Sequence, residues 1–472
     1  MAISPLTILL LLHIPFVYAS LPSLNGTSIS ALDASESPSY GNTRTLWDII
    51  WSCAATLFAC TWTAIHPNIP GMEEGKWTVF SRRLGIMIMA LILPELMITW
   101  ATLQFRNARD TAKNFNDAFG AQLHRACGDD LDIEESTLSL SNIPQSGGRR
   151  DSPHLSAAHA AGRNGGWTTT HGFFAWMGGF MLYVNGKPRA TLRPDELWRL
   201  VHKESVDVPI IVEADIEDRS KGDALSKGIA ILQLAWFVLQ LVARYVQNLP
   251  MTLLEIDTLA VAALTSISYG FWWKKPKDVR RPYAVHWKAT SPPSILAYEK
   301  TDSMFTCENC LDYCSSYLYP VFSLMGAAMT TSPRAVRERR VPSLGGYDGN
   351  DDHDRNHIIT LFIGCFSGMV FGGIHCLGWN NLFQGHTEQI LWRAASLVIL
   401  SAPVSILLSF SYAIWGEFSD VGTAIAIAAV RASLFIYIVA RITLVVLLLM
   451  SLRSLPPGVY DTVAWTKLVP HL

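Results

Sequence analysis

Residues 85–100 read Gly85-Ile86-Met87-Ile88-Met89-Ala90-Leu91-Ile92-Leu93-Pro94-Glu95-Leu96-Met97-Ile98-Thr99-Trp100, an apolar run interrupted by one Pro-Glu pair. Together with its flanks the block extends over residues 84–105 and is closed by Arg106 and Arg109. A hydrocarbon core about 30 Å thick is crossed by about 20 apolar residues in helical form, so the block has the length of a membrane span. An ionisable group at mid-membrane depth is a site hypothesis in itself, because a lone charge in lipid is costly. Pro94 removes a backbone hydrogen bond beside that group and kinks the helix.

Working outward, comparable blocks cover residues 49–65, 228–246, 251–273, 358–379, 390–412 and 424–452. Half of the 472 residues are hydrophobic and only 16% are charged, a deficit expected of a membrane protein. The formal net charge of −2 excludes a strongly basic nucleic-acid binder. No zinc-finger spacing, Walker loop or dinucleotide fingerprint is present. The fold class expected is therefore an all-α, polytopic transmembrane bundle of about seven to eight spans with disordered loops.

Residues 1–19 resemble a signal peptide, with a short apolar core and Val17-Tyr18-Ala19 at the cleavage positions. Asn25-Gly26-Thr27 is a glycosylation sequon in a Ser-rich tail over 20–45, which places that tail on the lumenal or extracellular side. Membranes of the secretory pathway or plasma membrane follow as the location. After the first two spans (46–105) come a polar loop over 106–167 and an apolar piece over 168–184, short for a span and containing a Gly pair. An amphipathic, charged connector (185–227) leads to a helical hairpin (228–273). A long basic and Cys-containing connector (274–356) then precedes three spans (357–452) and a C-terminal tail (453–472). Counting from an outside N-terminus, the basic runs at 274–281 and 334–340 fall in the cytosol only if 171–184 also crosses; eight crossings are thus favoured over seven.

Four groups of residues are chemical candidates. Glu95, in a bundle interior, would be protonated or paired with Arg244, Arg431 or Arg441, all on other spans. It would serve as a proton relay, a ligand site or a general acid, against the commoner role of an interhelical structural pair. His375, His386 and Glu388 sit near one membrane face, where a two-His-one-carboxylate metal set competes with an ordinary interfacial belt; no metal is assigned. The acidic stretch Glu213 to Asp223, with Glu255 and Asp257, would suit Mg²⁺ and a diphosphate, although a self-paired surface helix is the commoner cause of such a pattern. Cys307, Cys310 and Cys314 lack the further ligands that would close a metal site. Glycines along 364–373 permit close helix packing.

Three stretches carry a family likeness. They are Trp47-Asp48-Ile49-Ile50-Trp51-Ser52-Cys53 with Trp62 and His66-Pro67-Asn68; Asp218-Arg219-Ser220-Lys221-Gly222-Asp223 with Ser226-Lys227; and Ile374-His375-Cys376 with Trp392-Arg393. They resemble an uncharacterised family of multi-pass membrane proteins of filamentous fungi. The resemblance implies a membrane location and transfers neither a cofactor nor a catalytic residue. The first functional expectation is a protein of the lipid bilayer that binds or moves a small apolar molecule within its bundle. The alternatives are a membrane-embedded enzyme of fungal secondary metabolism, of isoprenoid cyclase or transferase type, and a non-catalytic receptor-like or scaffold protein.

Overall fold

The computed structural model describes residues 43–139, 166–220, 223–289, 296–299, 336, 338–342, 353–381, 383, 385–415 and 420–464. The expectations for the signal peptide, the tail with Asn25, and Cys307, Cys310 and Cys314 lie outside the described residues.

In chain order the elements are α1 (Leu46–Ala64), α2 (Lys76–Ile92), α3 (Pro94–Ser139), α4 (Thr169–Trp176), β1 (Phe180–Val184), β2 (Lys187–Thr191), α5 (Pro194–His202), α6 (Glu213–Asp218), α7 (Asp223–Val246), α8 (Leu253–Phe271), β3 (Tyr283–His286), β4 (Tyr298–Glu299), α9 (His353–His375), α10 (His386–Trp415) and α11 (Asp420–Ser451). The described residues are mostly helical and include a small four-stranded sheet. Five stretches among the described residues are long and apolar enough to cross a membrane: Ser226–Val246, Leu253–Phe271, Leu361–Asn380, His386–Tyr412 and Ala424–Ser451. The bent pair α2 and α3 makes a sixth if counted as one. That is fewer than the seven or eight expected.

The bundle has two distinct ends. At one, Arg44 pairs with Glu255 at 2.6 Å, joining the starts of α1 and α8, and the Arg44 amide donates to the Tyr460 carbonyl at 2.7 Å. Capping boxes at Thr45/Asp48 and Thr252/Glu255 start these two helices by satisfying first-turn amides. Arg244, near the end of α7, donates to the carbonyls of Pro250, Val459 and Asp461 there, so both described termini of the chain meet at this end. At the opposite, basic end, Arg83 of α2 reaches Asp278 at 2.8 Å and the Trp62 carbonyl at 3.1 Å, and Lys227 of α7 donates to the Trp273 carbonyl at 3.3 Å.

The Pro94 kink is a full break. Leu93 leaves helical geometry (φ −137°, ψ 66°), and the axes of α2 and α3 diverge by 113°. Pro94 disfavours helical geometry in the residue before it and suits the first position of a new helix. Ten residues after the break, Gln104 of α3 accepts from Trp272 Nε1 at 2.8 Å, at the end of α8. Both limbs of the pair therefore reach the same, basic end of the bundle.

Residues 106–123 are helix, correcting the polar loop expected there, because α3 continues far past the apolar block. Ala108, Ala112, Phe115, Phe119 and Leu123 recur at helical spacing and are buried. Four of them help form the core of an α/β unit: Phe115 stacks on Trp167 at 3.9 Å, and Trp167 stacks on Phe180 of β1. The segment 171–184, expected as a re-entrant or spanning piece, is α4 followed by β1 within this unit. Its apolar residues are buried against protein: a Cβ on Gly172 would lie 1.9 Å from the Ala108 carbonyl oxygen, so only glycine allows this approach. β1 and β2 form an antiparallel hairpin across Asn185-Gly186, both at positive φ, in a sheet ordered β3-β1-β2-β4 with β1 and β3 parallel. The all-α expectation and the simple connectors at 185–227 and 274–356 are corrected by this sheet.

Candidate functional site

Glu95 lies in the first turn of α3, directly after the break, and is 8% exposed. Tyr437 Oη of α11 donates to Glu95 Oε1 at 2.6 Å, and Arg441 Nη1 stands 4.0 Å from the same oxygen. Arg441 also donates through Nη2 to the Ile92 carbonyl, one of the acceptors left open where α2 stops. The cation thus sits at a helix C-terminus and the carboxylate at a helix N-terminus, both favourable placements in the helix-dipole field. The Arg441 guanidinium lies 3.7 Å from the centre of the Phe371 ring, a cation–π contact. Glu95 Oε2 and Arg441 Nε are buried without a hydrogen-bond partner. An unmet buried polar atom costs about 1–3 kcal/mol, which a bound water or ligand group would recover.

Glycine builds the walls of this site. A Cβ on Gly364 of α9 would lie 2.4 Å from Thr99 Cγ2, one on Gly368 would lie 3.0 Å from Pro403 Cγ, and one on Gly372 would lie 2.6 Å from the Leu400 amide nitrogen. Spaced by four, these residues form a stripe along which α9 closes on α3 and α10. The close packing expected of the 364–373 glycines is present.

A second buried polar group occupies the basic end. Lys275 Nζ donates to Asn68 Oδ1 at 3.0 Å and to Gln104 Oε1 at 2.9 Å, and Lys277 Nζ donates to the Thr63 carbonyl at 3.1 Å. Burial holds the Lys275 amine well below its ordinary pKa. His66 Nδ1 donates to the Ala64 carbonyl at 2.8 Å, which leaves Nε2 as a buried acceptor without a partner. Burial, then the neighbouring Lys277, lowers its pKa. Nearby, Glu74 lies between Arg82 and Arg340; burial opposes ionisation, but the two guanidiniums prevail and hold the carboxyl at about 2.

Of the sequence candidates, the structure brings together Glu95 and Arg441. Arg244 belongs to the opposite end, bound to carbonyls near the C-terminus, and Arg431 is exposed on α11. The His375, His386 and Glu388 set is not assembled. His375 is fully buried, with Nδ1 at 2.9 Å from the Phe371 carbonyl and Nε2 at 3.2 Å from Asp257 Oδ1, whereas His386 is exposed and Glu388 half-buried at the start of α10. No group of three or more potential metal-ligating side chains occurs among the described residues. The two acidic stretches are also separate. Glu213 binds Thr170 at 2.6 Å and Lys274 at 3.5 Å beyond one end of α8, while Glu255 pairs with Arg44 in its first turn. Nineteen helical residues span roughly 28 Å, too far for carboxylates sharing one diphosphate. Sequence reading missed Tyr437 and the Lys275 group, and it set Asp257 with a diphosphate site where the structure sets it against His375. Tyr437 had a signal: it precedes Arg441 by one helical turn inside an apolar run.

The chain belongs to a family of unknown function, DUF8562, which matches residues 17–319 and 344–472. No curated protein and no solved structure matches the chain.

Proposed function

We propose that this member of DUF8562 is a multi-pass membrane protein that binds or moves a small, mainly apolar molecule inside its bundle, at the break that carries Glu95. The observation that carries this reading is the broken α2–α3 pair, with a carboxylate, a phenol and a guanidinium buried among apolar helices. Interrupted helices with charged groups at their inner ends are a recurrent way to hold a ligand at mid-membrane depth. The free Glu95 Oε2 offers one hydrogen-bond acceptor to an otherwise apolar ligand.

A bilayer setting is supported by wide outward apolar faces, such as Leu408 at 66% and Phe435 at 68% exposure, for which lipid is the fitting neighbour. In this reading the five apolar helices α7, α8, α9, α10 and α11 cross together with α1, a 19-residue helix outside that set, and α2–α3 dips in and returns as a re-entrant pair. An even number of crossings agrees with the meeting of the two described termini at one end. Lys76, Arg82, Arg83, Lys274, Arg280 and Arg281 all gather at the other end, which the positive-inside rule makes cytosolic. The enzyme reading draws no comparable support, because its acidic stretches are separated.

The test is thermal unfolding of the full chain in lipid nanodiscs with a graded series of medium-chain alcohols and carboxylic acids. At least one member should raise the melting temperature of the native protein and fail to do so with Glu95→Gln and Tyr437→Phe. A series that leaves the native protein unshifted throughout contradicts the proposal.

A further inference from the structure

The Glu95–Arg441 pair leaves two buried polar atoms of opposite character unmet, Glu95 Oε2 and Arg441 Nε. The carboxylate oxygen only accepts a hydrogen bond, and the guanidinium N–H only donates one. Oε1 is already taken by Tyr437, and Nη2 by the Ile92 carbonyl. A ligand that satisfies both orphans therefore has to donate and to accept. One hydroxyl does so, giving its proton to the carboxylate and a lone pair to the guanidinium. An ether, ester or ketone only accepts, a carboxylate meets the negative charge of Glu95, and an ammonium meets the positive charge of Arg441. A hydrocarbon satisfies neither atom and leaves both buried at a cost.

The surroundings indicate the side from which such a molecule comes. α9 closes one side, where Gly364 abuts Thr99 and the Phe371 ring lies against the Arg441 guanidinium. α11 packs along α10 and meets α2 at little more than the Arg441–Ile92 contact. Around that contact the apolar side chains Ile88 and Ile92 of α2 and Ile438 and Ile442 of α11 are all exposed. The Glu95 and Arg441 side chains remain 11% and 8% exposed, although Oε2 and Nε themselves are covered. A ligand thus reaches the two atoms by displacing side chains at this mouth, without a standing cavity, and exposed side chains change rotamer within nanoseconds. In a bilayer the mouth is bathed by hydrocarbon, so the molecule that arrives is one already dissolved there.

We propose that the molecule held at the break is a long-chain alcohol that enters sideways from the bilayer between α2 and α11, its hydroxyl donating to Glu95 Oε2 and accepting from Arg441 Nε. The inference rests on the reading of the break as a binding site and names the class of its ligand. The alcohol's chain lies along the exposed isoleucines, where it replaces lipid tails of the same polarity. Discrimination between ligands therefore resides in the head group.

The test is photolabelling of the full chain in nanodiscs by hexadecan-1-ol carrying a diazirine in mid-chain, with the labelled residues located by mass spectrometry. Label should concentrate on α2 and α11 near Ile92 and Ile442. Unlabelled hexadecan-1-ol should displace it at least about tenfold more effectively than hexadecyl methyl ether or hexadecanoate. That preference should vanish in Glu95→Gln, whose amide keeps one oxygen for Tyr437 and has no second acceptor. Ile92→Trp and Ile442→Trp, both at exposed positions, should remove most of the label at unchanged melting temperature, and Leu408→Trp, on an exposed face of α10, should not. Equal displacement by the ether or the carboxylate overturns the alcohol assignment, as does a preference that survives Glu95→Gln. Undiminished label in both isoleucine variants overturns the route. In each of these cases displaceable label leaves the site standing, whereas label spread over the lipid-facing helices that no competitor displaces removes the site itself.

Discussion

Arg441 serves two partners that would otherwise be stranded in an apolar interior, the Glu95 carboxylate and the Ile92 carbonyl. Removing only the cation leaves a buried charge and an open helix end, so Arg441→Met should cost about 3–5 kcal/mol. Adding Glu95→Gln should restore part of that loss. Thermal unfolding of the two single variants and the double variant measures the coupling, and strictly additive effects would contradict the pairing. Glu74 gives a second residue-scale prediction. Its folded carboxyl titrates at about 2 against an ordinary 4.5, so its contribution to stability is complete above pH 4.5 and is lost as pH falls through 2. Melting temperature in acid should therefore fall less steeply for Glu74→Gln than for the native chain. At this scale Glu95 was legible because an acid in an apolar run is conspicuous. Its partner was one of three arginines that sequence alone does not rank, since helix rotation decides which of them turns inward.

At the scale of elements, the glycines of α9 act by position. Gly372 abuts the Leu400 backbone, whereas a Cβ on the adjacent Gly373 would meet nothing within 4 Å. Gly372→Val should destabilise by about 1–3 kcal/mol through overpacking. Gly373→Ala should stabilise by roughly 0.5–1 kcal/mol, because alanine loses less backbone freedom in a helix. Equal melting temperatures for the two variants would remove the stripe from the account. The apolar helices were readable from length and hydropathy, which report burial in any apolar medium. That same generality misled at 171–184, where Phe173 and Phe174 are buried by protein. The signal that separates the cases was present: Val184-Asn185-Gly186-Lys187 is a two-residue hairpin turn, and a hairpin needs paired strands on either side. Likewise the 108–123 helix was hidden by its polar composition, although its buried residues keep helical spacing.

For the whole molecule, the arrangement is a helix bundle with an α/β unit built onto its basic end, partly from the continuation of α3. Counting apolar blocks cannot distinguish a broken crossing from a hairpin that enters and returns, because both have the same composition. The contacts at the basic end put Arg83 and Gln104 beside Asp278 and Trp272, which is the arrangement that the proposed re-entrant pair requires. The central claim is therefore tested by labelling single cysteines, in a chain otherwise free of cysteine, with a membrane-impermeant maleimide in sealed cells. Cysteines replacing Glu73 and Lys203, on either side of the α2–α3 pair, should both be protected until the membrane is opened. One replacing Arg453 at the other end should label at once. Labelling that places Glu73 and Lys203 on opposite sides of the membrane would contradict the re-entrant pair and the site built at its break.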